Sequence, residues 1–247
     1  MNKLNDFFIK CFRHGSVNLI KFLLKDPKID PSSNNNFYIK IASENGNTEI
    51  VKLLLADKRV DPSADGNRAL MYAVIEKNTE IVKLLLNDKR VDPSDRGNEA
   101  IRTASMYGHT EIVKMLLADH RVDPGASDNS AIIKASRNER EDVVKLLLAD
   151  DRVDPSAQNN YSIISASYLG RTEIVKLLLT DKRVDPSVKN NEAIRHASDR
   201  GYTGVVKLLL KNKRVTDTLI AKELNKYKNQ VGLTESRILD LAGVIHD

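Results

Sequence analysis

Among the side chains with which this chain could hold a metal or attack a substrate are its five histidines and its single cysteine. No two histidines stand four residues apart around a carboxylate, which is the spacing that puts two zinc ligands on one helix face. The chain has neither a GxSxG turn nor a glycine-rich phosphate loop. We therefore expect no metal, no cofactor and no enzymatic activity. The histidines are His14, His109, His120, His196 and His246.

Cys11 has two interpretations, a small buried hydrophobic residue or a reactive thiol. Because a single cysteine cannot form an internal disulfide, it indicates a reducing intracellular compartment, cytoplasmic with the nucleus also open. No apolar run approaches the roughly 18 residues of a membrane span, and no charged-then-apolar leader precedes a cleavage site. We expect neither a membrane span nor secretion.

The prolines reveal the organisation that must position these side chains. Six of the seven are spaced by 31 residues. A constant period of this length predicts stacked structural repeats. These six are Pro31, Pro62, Pro93, Pro124, Pro155 and Pro186.

The stretch from 98 to 124, NEAIRTASMYGHTEIVKMLLADHRVDP, contains two helical patterns. Asn98 is predicted to cap a first helix, and Thr110 a second helix with a broad apolar face. Gly108 suits a turn with positive φ between them. Helices this short cannot bury their own apolar faces, so the pairs must stack on one another.

The segment EAIRTASMYGHTEIVKMLL, from Glu99 to Leu117, resembles the ankyrin repeat, whose consensus reads TPLHxAAxxGHxxIVxLLL. The resemblance implies an all-α solenoid of stacked helix-turn-helix units. The family's usual period is about 33 residues, and the two residues missing here fall where the family has a β-hairpin. We therefore expect short β-turn or hairpin connections, reduced to a tight turn. The 31-residue form is similar to repeats of large DNA viruses and protists.

The repeat pattern also predicts domain boundaries. Residues 1–31 keep the register but not the consensus, which is typical of an N-terminal capping repeat, with Phe7, Phe8, Phe12, Leu19 and Phe22 among its expected core residues. Residues 32–217 hold six repeats of about 31 residues, and residues 218–247 are expected to form a helical C-terminal cap that could also dock a second protein. In the fifth repeat Glu139, Arg140 and Glu141 replace Gly-His-Thr, so we expect its turn to be the least stable.

The net charge of +5 and the pI near 9.1 suggest nucleic acid. However, each arginine of the column Arg59, Arg90, Arg121, Arg152 and Arg183 is followed two residues later by an aspartate. Stacking would interleave the signs, so we expect a neutralised ladder and not a basic stripe for phosphates.

Residues that bind a partner should differ between repeats, whereas core residues recur. The pair before each turn glycine varies most and includes apolar residues that no core requirement explains. We therefore expect a monomeric scaffold or adaptor that binds a protein through its concave groove. The alternative is an electrostatic binder of nucleic acid or an acidic membrane surface, which a steep salt dependence would reveal. The predicted binding residues are Ile75, Glu76, Met106, Tyr107, Arg137, Asn138, Tyr168 and Leu169.

Overall fold

A computed structural model describes residues 10–12 and 16–231, with side chains up to residue 222. These residues form fourteen helices and no strand. The chain divides into two compact bodies, Met1–Asp154 and Pro155–Asp247. We number the repeats so that each one ends at a proline of the 31-residue series: repeat 1 is residues 1–31 and repeat 4 is residues 94–124.

The N-terminal body stacks helix pairs, each made of a first and a second helix of one repeat. The first helices of consecutive repeats pack against each other more extensively than the second helices do. Its helices are α1 (Val17–Leu23), α2 (Ser33–Glu44), α3 (Thr48–Ala56), α4 (Ala64–Ile75), α5 (Thr79–Asn87), α6 (Asp95–Tyr107), α7 (Thr110–Ala118), α8 (Ala126–Arg137) and α9 (Glu141–Leu148).

The first helices of repeats 2 to 7 each begin with a left-handed turn of three residues. In repeat 4 these are Arg96, Gly97 and Asn98, with φ of 52°, 66° and 59°. Left-handed backbone is costly for most residues, and glycine, asparagine and aspartate tolerate it best, which explains why these types fill the second and third positions of the turn. The Asn98 N–H donates to the Ser94 carbonyl over 2.8 Å, which closes the turn. This turn stands where the family's hairpin would be, as the shortened period predicts.

The core of each pair comes from residues at helical spacing. In repeat 4, Ile101 and Ala104 of the first helix and Ile112, Val113 and Leu116 of the second are fully buried. Burying one such aliphatic side chain contributes about 1.5 to 3 kcal/mol. The predicted apolar faces are therefore confirmed in both helices.

The first repeat buries only part of the apolar residues expected in its core. Phe12, Ile20 and Leu23 are buried, and the Phe12 ring stacks on Tyr38 at a centroid distance of 4.9 Å. Phe22, in contrast, is 70% exposed, and Leu19 is exposed too. The core prediction was wrong for these two residues because α1 packs one face on α3, and Leu19 and Phe22 lie on another face. Phe7 and Phe8 lie outside the described residues.

The C-terminal body contains α10 (Ala157–Tyr168), α11 (Thr172–Leu178), α12 (Val188–Asp199), α13 (Thr203–Leu210) and α14 (Lys213–Val231). The last helix begins at the Lys-Arg-Val sequence that precedes Asp-Pro in earlier repeats. Thr216 and Asp217 replace Asp-Pro there, so the helix continues through them. The second C-terminal helix expected after Thr234 lies outside the described residues.

Candidate partner-binding site

The arginine column lies in the turns that end the second helices and joins consecutive repeats. Arg121 donates from Nε and Nη2 to the Asp119 carboxylate over 2.9 and 2.5 Å. Its Nη1 and Nη2 also reach the carbonyls of Val91 and Leu86 in repeat 3, both at 2.8 Å. Arg59, Arg90 and Arg152 repeat this arrangement. One guanidinium therefore binds its own turn and the preceding repeat.

This geometry shifts the titration of both partners. The hydrogen bond from Arg121 is the largest cause that holds the pKa of the Asp119 carboxyl below its ordinary value. The same bond raises the pKa of Arg121, and Asp92 of the preceding repeat adds to that rise. The neutralised ladder is confirmed, although its main carboxylate stands two residues before each arginine and not two residues after it.

The aspartates after each arginine shape the next turn. Asp92 Oδ1 accepts hydrogen bonds from the N–H and the hydroxyl of Ser94 over 2.9 and 2.7 Å. Asp61 and Asp185 bind their serines in the same way. These carboxylates thus hold the entry to the left-handed turn.

The asparagine column bonds between repeats and not within its own helix. Asn98 Oδ1 accepts from the N–H of Asp123 over 2.8 Å. The same bond recurs for Asn36, Asn67 and Asn129 in the N-terminal body and for Asn160 in the C-terminal body. The prediction that Asn98 caps its helix was wrong, because its side chain faces the next repeat. Thr110 likewise is the first residue of α7, and His109 is the capping residue.

The turn between the helices is also tied to the preceding repeat. His109 Nε2 lies 3.4 Å from the Ile75 carbonyl, and Arg140 Nε donates to the Met106 carbonyl over 3.1 Å. Burial lowers the pKa of His109, which favours the neutral ring. These side chains therefore bind the last carbonyls of the preceding first helix, a structural task.

The remaining candidates for chemistry give no site in the described part of the chain. His120 is exposed, His196 lies 3.3 Å from Glu192, and His14 and His246 are outside the described residues. No group of acidic, histidine or cysteine side chains that could hold a metal occurs among the residues described. Cys11 is buried, and burial raises the pKa of its thiol, which agrees with a hydrophobic packing role.

Six of the predicted binding residues lie at the ends of three neighbouring first helices in the N-terminal body. We call them the first-helix patch: Ile75, Glu76, Met106, Tyr107, Arg137 and Asn138. Ile75 and Tyr107 are 37% and 43% exposed, Met106 is half-buried, and the other three are exposed. The repeat spacing aligns Ile75, Met106 and Arg137 in one row and Glu76, Tyr107 and Asn138 in the next.

The Tyr107 ring is held in place from one side. It stacks on His109 with the two planes 18° apart and the centroids 5.7 Å apart. Because His109 is itself placed by the turn, the ring presents a fixed apolar surface. Such pre-organisation lowers the entropy cost of binding.

Tyr168 and Leu169 lie in the C-terminal body. Tyr168 is 40% exposed, and the Arg200 guanidinium lies over its ring at 3.7 Å from the centroid. His196 meets the same ring edge-on at 5.2 Å. This tyrosine therefore has contacts within its own body in addition to its exposed edge.

Sequence reasoning missed neighbours of the patch one helical turn earlier. Tyr72, Thr103 and Lys134 occupy equivalent positions of three repeats and are half-buried. Arg68 lies over the Tyr72 ring at 5.6 Å. Their variation between repeats, which the 31-residue period exposes, was the signal that could have found them.

Comparison with known proteins decides the family. A family model of ankyrin repeats, covering three copies, matches residues 8–96 and 88–159. The chain belongs to the ankyrin repeat family. Ankyrin repeats are generally protein–protein interaction modules. None of the curated proteins compared with the chain matches it.

Solved ankyrin structures resemble the fold. The ankyrin repeat protein EF0377 is 30% identical, with a TM-score of 0.62 over 71% of this chain and 97% of that one. An ankyrin repeat domain from Acinetobacter baumannii AYE is 25% identical, with a TM-score of 0.61 over 70% and 96%. The ankyrin repeat domain of Bcl-3, a member of the IkappaB family, is 22% identical with a TM-score of 0.60 over 73% and 96%, which shows a shared fold alone.

Proposed function

We propose that this ankyrin repeat chain is a non-enzymatic adaptor that binds a protein partner through the first-helix patch. The observation that carries the proposal is the exposure of Ile75 and Tyr107 on neighbouring first helices, with Met106 between them. Exposed apolar and aromatic side chains grouped on a rigid surface are typical of the residues that dominate protein interfaces.

The polar residues that recur at one position of several repeats support this choice, because they can be excluded as partner-binding residues. Arg121, Asn98 and His109 are all occupied by contacts with neighbouring repeats. These residue types recur from repeat to repeat because stacking requires their contacts. The side chains of the first-helix patch, unlike its backbone carbonyls, make no such recurring contact, so they are free to suit a partner.

Tyr168 and Leu169 would extend partner binding to the C-terminal body. Because Arg200 and His196 already contact the Tyr168 ring, Tyr168→Ala would disturb that body as well as any interface. Tyr107→Ala therefore tests partner binding with less disturbance of the fold. The lone buried thiol of Cys11 suits a reducing intracellular compartment, where we place the protein.

None of the described helices combines the length and the hydropathy that crossing a bilayer requires. The electrostatic alternative, binding to nucleic acid or to an anionic membrane surface, draws on the net charge of +5. The arginine column cannot supply that surface, because each guanidinium is held by the aspartate two residues earlier. Binding that falls steeply with salt and ignores the patch would favour this alternative.

The test is affinity purification from cell extract with the full tagged chain, followed by quantitative mass spectrometry. Met106→Ala and Tyr107→Ala are compared with Met115→Ala, which removes a half-buried methionine from α7 of the same repeat. We expect Tyr107→Ala to weaken capture of a specific protein by about 2 kcal/mol and Met115→Ala to leave it unchanged. Circular dichroism checks that all variants keep their helices. Equal retention by all three variants would refute the patch.

A further inference from the structure

Three cations, one in the first-helix patch and two beside it, have no carboxylate partner in the described part of the chain. Arg102, Lys134 and Arg137 form no ion pair there. Arg102 is held by a hydrogen bond from Nη2 to the Arg96 carbonyl over 2.9 Å, which fixes the guanidinium without neutralising it. Their charge is therefore available to a ligand.

Elsewhere in the described part of this body many cations are neutralised, although several, among them Lys77 and Arg140, form no ion pair either. On the second helices Lys52, Lys114 and Lys145 each bind the acidic residue three positions earlier, at 2.6, 2.7 and 3.3 Å. Lys83 is the exception at this position. On the first helices of repeats 2 and 3, Asp65 lies 3.5 Å from Lys40 and 3.8 Å from Arg68.

The free cations surround the apolar residues of the patch. Arg102 lies one helical turn before Met106 on α6. Arg137 stands at the position equivalent to Met106 on α8, which packs directly on α6, and Lys134 lies about one turn before Arg137. Packed helices are about 8 to 10 Å apart. When one side chain of a bound peptide lies on Met106, the neighbouring side chains of that peptide can therefore reach all three cations.

Negative charge lies at the opposite edge of the patch. Glu76 is exposed at the position equivalent to Tyr107 on α4. The patch thus runs from an acidic end in repeat 3, through Ile75 and Met106, to a basic end in repeats 4 and 5. This gradient gives a bound chain a preferred direction.

We propose that the partner's contacting segment is an acidic peptide with an apolar anchor. The anchor lies on Ile75, Met106 and Tyr107, and aspartate or glutamate side chains pair with Arg102, Lys134 and Arg137. The inference rests on the proposed function and adds the chemistry of the partner. Charge complementarity of this kind raises association rates and fixes the register of a bound segment.

A nucleic acid fits the same surface less well. Phosphate backbones are bound through many cations along an extended track, about 6 to 10 contacts in strong binders. Here three cations stand beside Ile75, Met106 and the repelling carboxylate of Glu76. A short acidic segment with one apolar side chain uses all of these features.

The test uses the full chain as bait to select binding peptides from a random library displayed on phage. Selection is repeated with Lys134→Gln/Arg137→Gln and with the control Lys114→Gln/Lys145→Gln, which changes the net charge equally on the second helices. We expect enriched peptides to carry net negative charge and an apolar residue. A synthetic copy of the most enriched peptide should bind the first variant about tenfold more weakly and the control as well as the parent.

The outcomes separate the two proposals. Enrichment of neutral or basic peptides that depend on Tyr107 would overturn the acidic segment and leave the adaptor function standing. Failure to enrich any peptide that depends on the patch would count against both. If the two double variants weaken peptide binding equally, the effect is one of net charge and the inference is overturned. The inference is also overturned if an oligothymidylate probe displaces the peptide and no longer binds the Lys134→Gln/Arg137→Gln variant.

Discussion

The side-chain oxygen of Asn98 accepts a hydrogen bond from the backbone N–H of Asp123, 25 residues later and 2.8 Å away. This bond joins the left-handed turn of repeat 4 to the turn that leads into the next repeat. Asn191, at the equivalent position of repeat 7, has no such donor, because Thr216 follows in a helix. Its amide is 1% exposed, and neither its oxygen nor its nitrogen has a hydrogen-bond partner.

The contrast between these two asparagines predicts unequal effects of the same substitution. Glycine keeps the left-handed backbone, so Asn98→Gly removes only the side-chain bond and should lower the free energy of unfolding by about 1 kcal/mol. Asn191→Gly breaks no bond and should change it by less than about 0.5 kcal/mol. Urea denaturation followed by circular dichroism measures both. Equal losses would mean that the hydrogen bond between Asn98 and Asp123 does not contribute to stability.

Stability should depend on pH through the aspartates that bind the arginine column. The hydrogen bond from Arg121 lowers the pKa of Asp119 in the folded state. A lowered pKa stabilises the fold above the unfolded value of about 3.9, and this contribution is lost as pH falls through the folded value. Asp57, Asp88, Asp150 and Asp181 show the same shift and cause.

Asp119→Asn tests this pH dependence. The variant should be less stable than the parent at pH 7, and the difference should shrink as pH falls below about 4. Thermal unfolding at a series of pH values measures it, with Glu111→Gln on α7 as the control for a general change of charge. A difference between Asp119→Asn and the parent that stays constant down to pH 2 would contradict the assignment.

The turn between the helices should tolerate glycine better than the residues that now occupy it in two repeats. Lys77 and Glu139 have φ of 58° and 59°, where repeat 4 has Gly108 at 79°. Lys77→Gly and Glu139→Gly should each raise the free energy of unfolding by about 0.5 to 1 kcal/mol, because a side chain in this region is strained. The sequence prediction of a weak turn in the fifth repeat remains a prediction, and the structure adds the third repeat to it.

Gly108→Ala is the opposite test of the same turn. The new methyl group would lie 2.6 Å from Arg140 Cδ, and the backbone would remain at positive φ. We expect a loss of about 1 kcal/mol in chemical denaturation. If Lys77→Gly destabilises the chain while Gly108→Ala does not, positive φ is not what selects glycine at this position.

Local periodicity carried most of the prediction of the fold. The faces of Ile101 and Leu116 follow from helical spacing, and the period of the prolines follows from the sequence itself. The partner of Arg121 could not be chosen this way, because Asp119 and Asp123 flank it symmetrically and only the turn geometry selects Asp119. Leu19 was placed in the core because its register matches buried residues such as Ile50, but burial at the end of a stack depends on which neighbour exists.

The site was predicted by a different signal, variation between repeats. It found Tyr107 and Ile75, whose exposure agrees with a binding role. It could not find Arg102, which matters because Arg102 forms no ion pair with any described carboxylate, and this is visible only in three dimensions. Variation between repeats also could not show that Tyr168, unlike Tyr107, is contacted by Arg200 and His196, since those contacts depend on the fold.

The central claim is that a protein partner covers the first helices, and two methionines of repeat 4 test it directly. Met106 on α6 belongs to the first-helix patch, and Met115 lies on α7; both are half-buried. Hydroxyl-radical footprinting of the complex with the captured protein, read by mass spectrometry, measures the oxidation of each. The account predicts that the partner protects Met106 and leaves Met115 as reactive as in the free chain. Protection of Met115 with Met106 unchanged would contradict it.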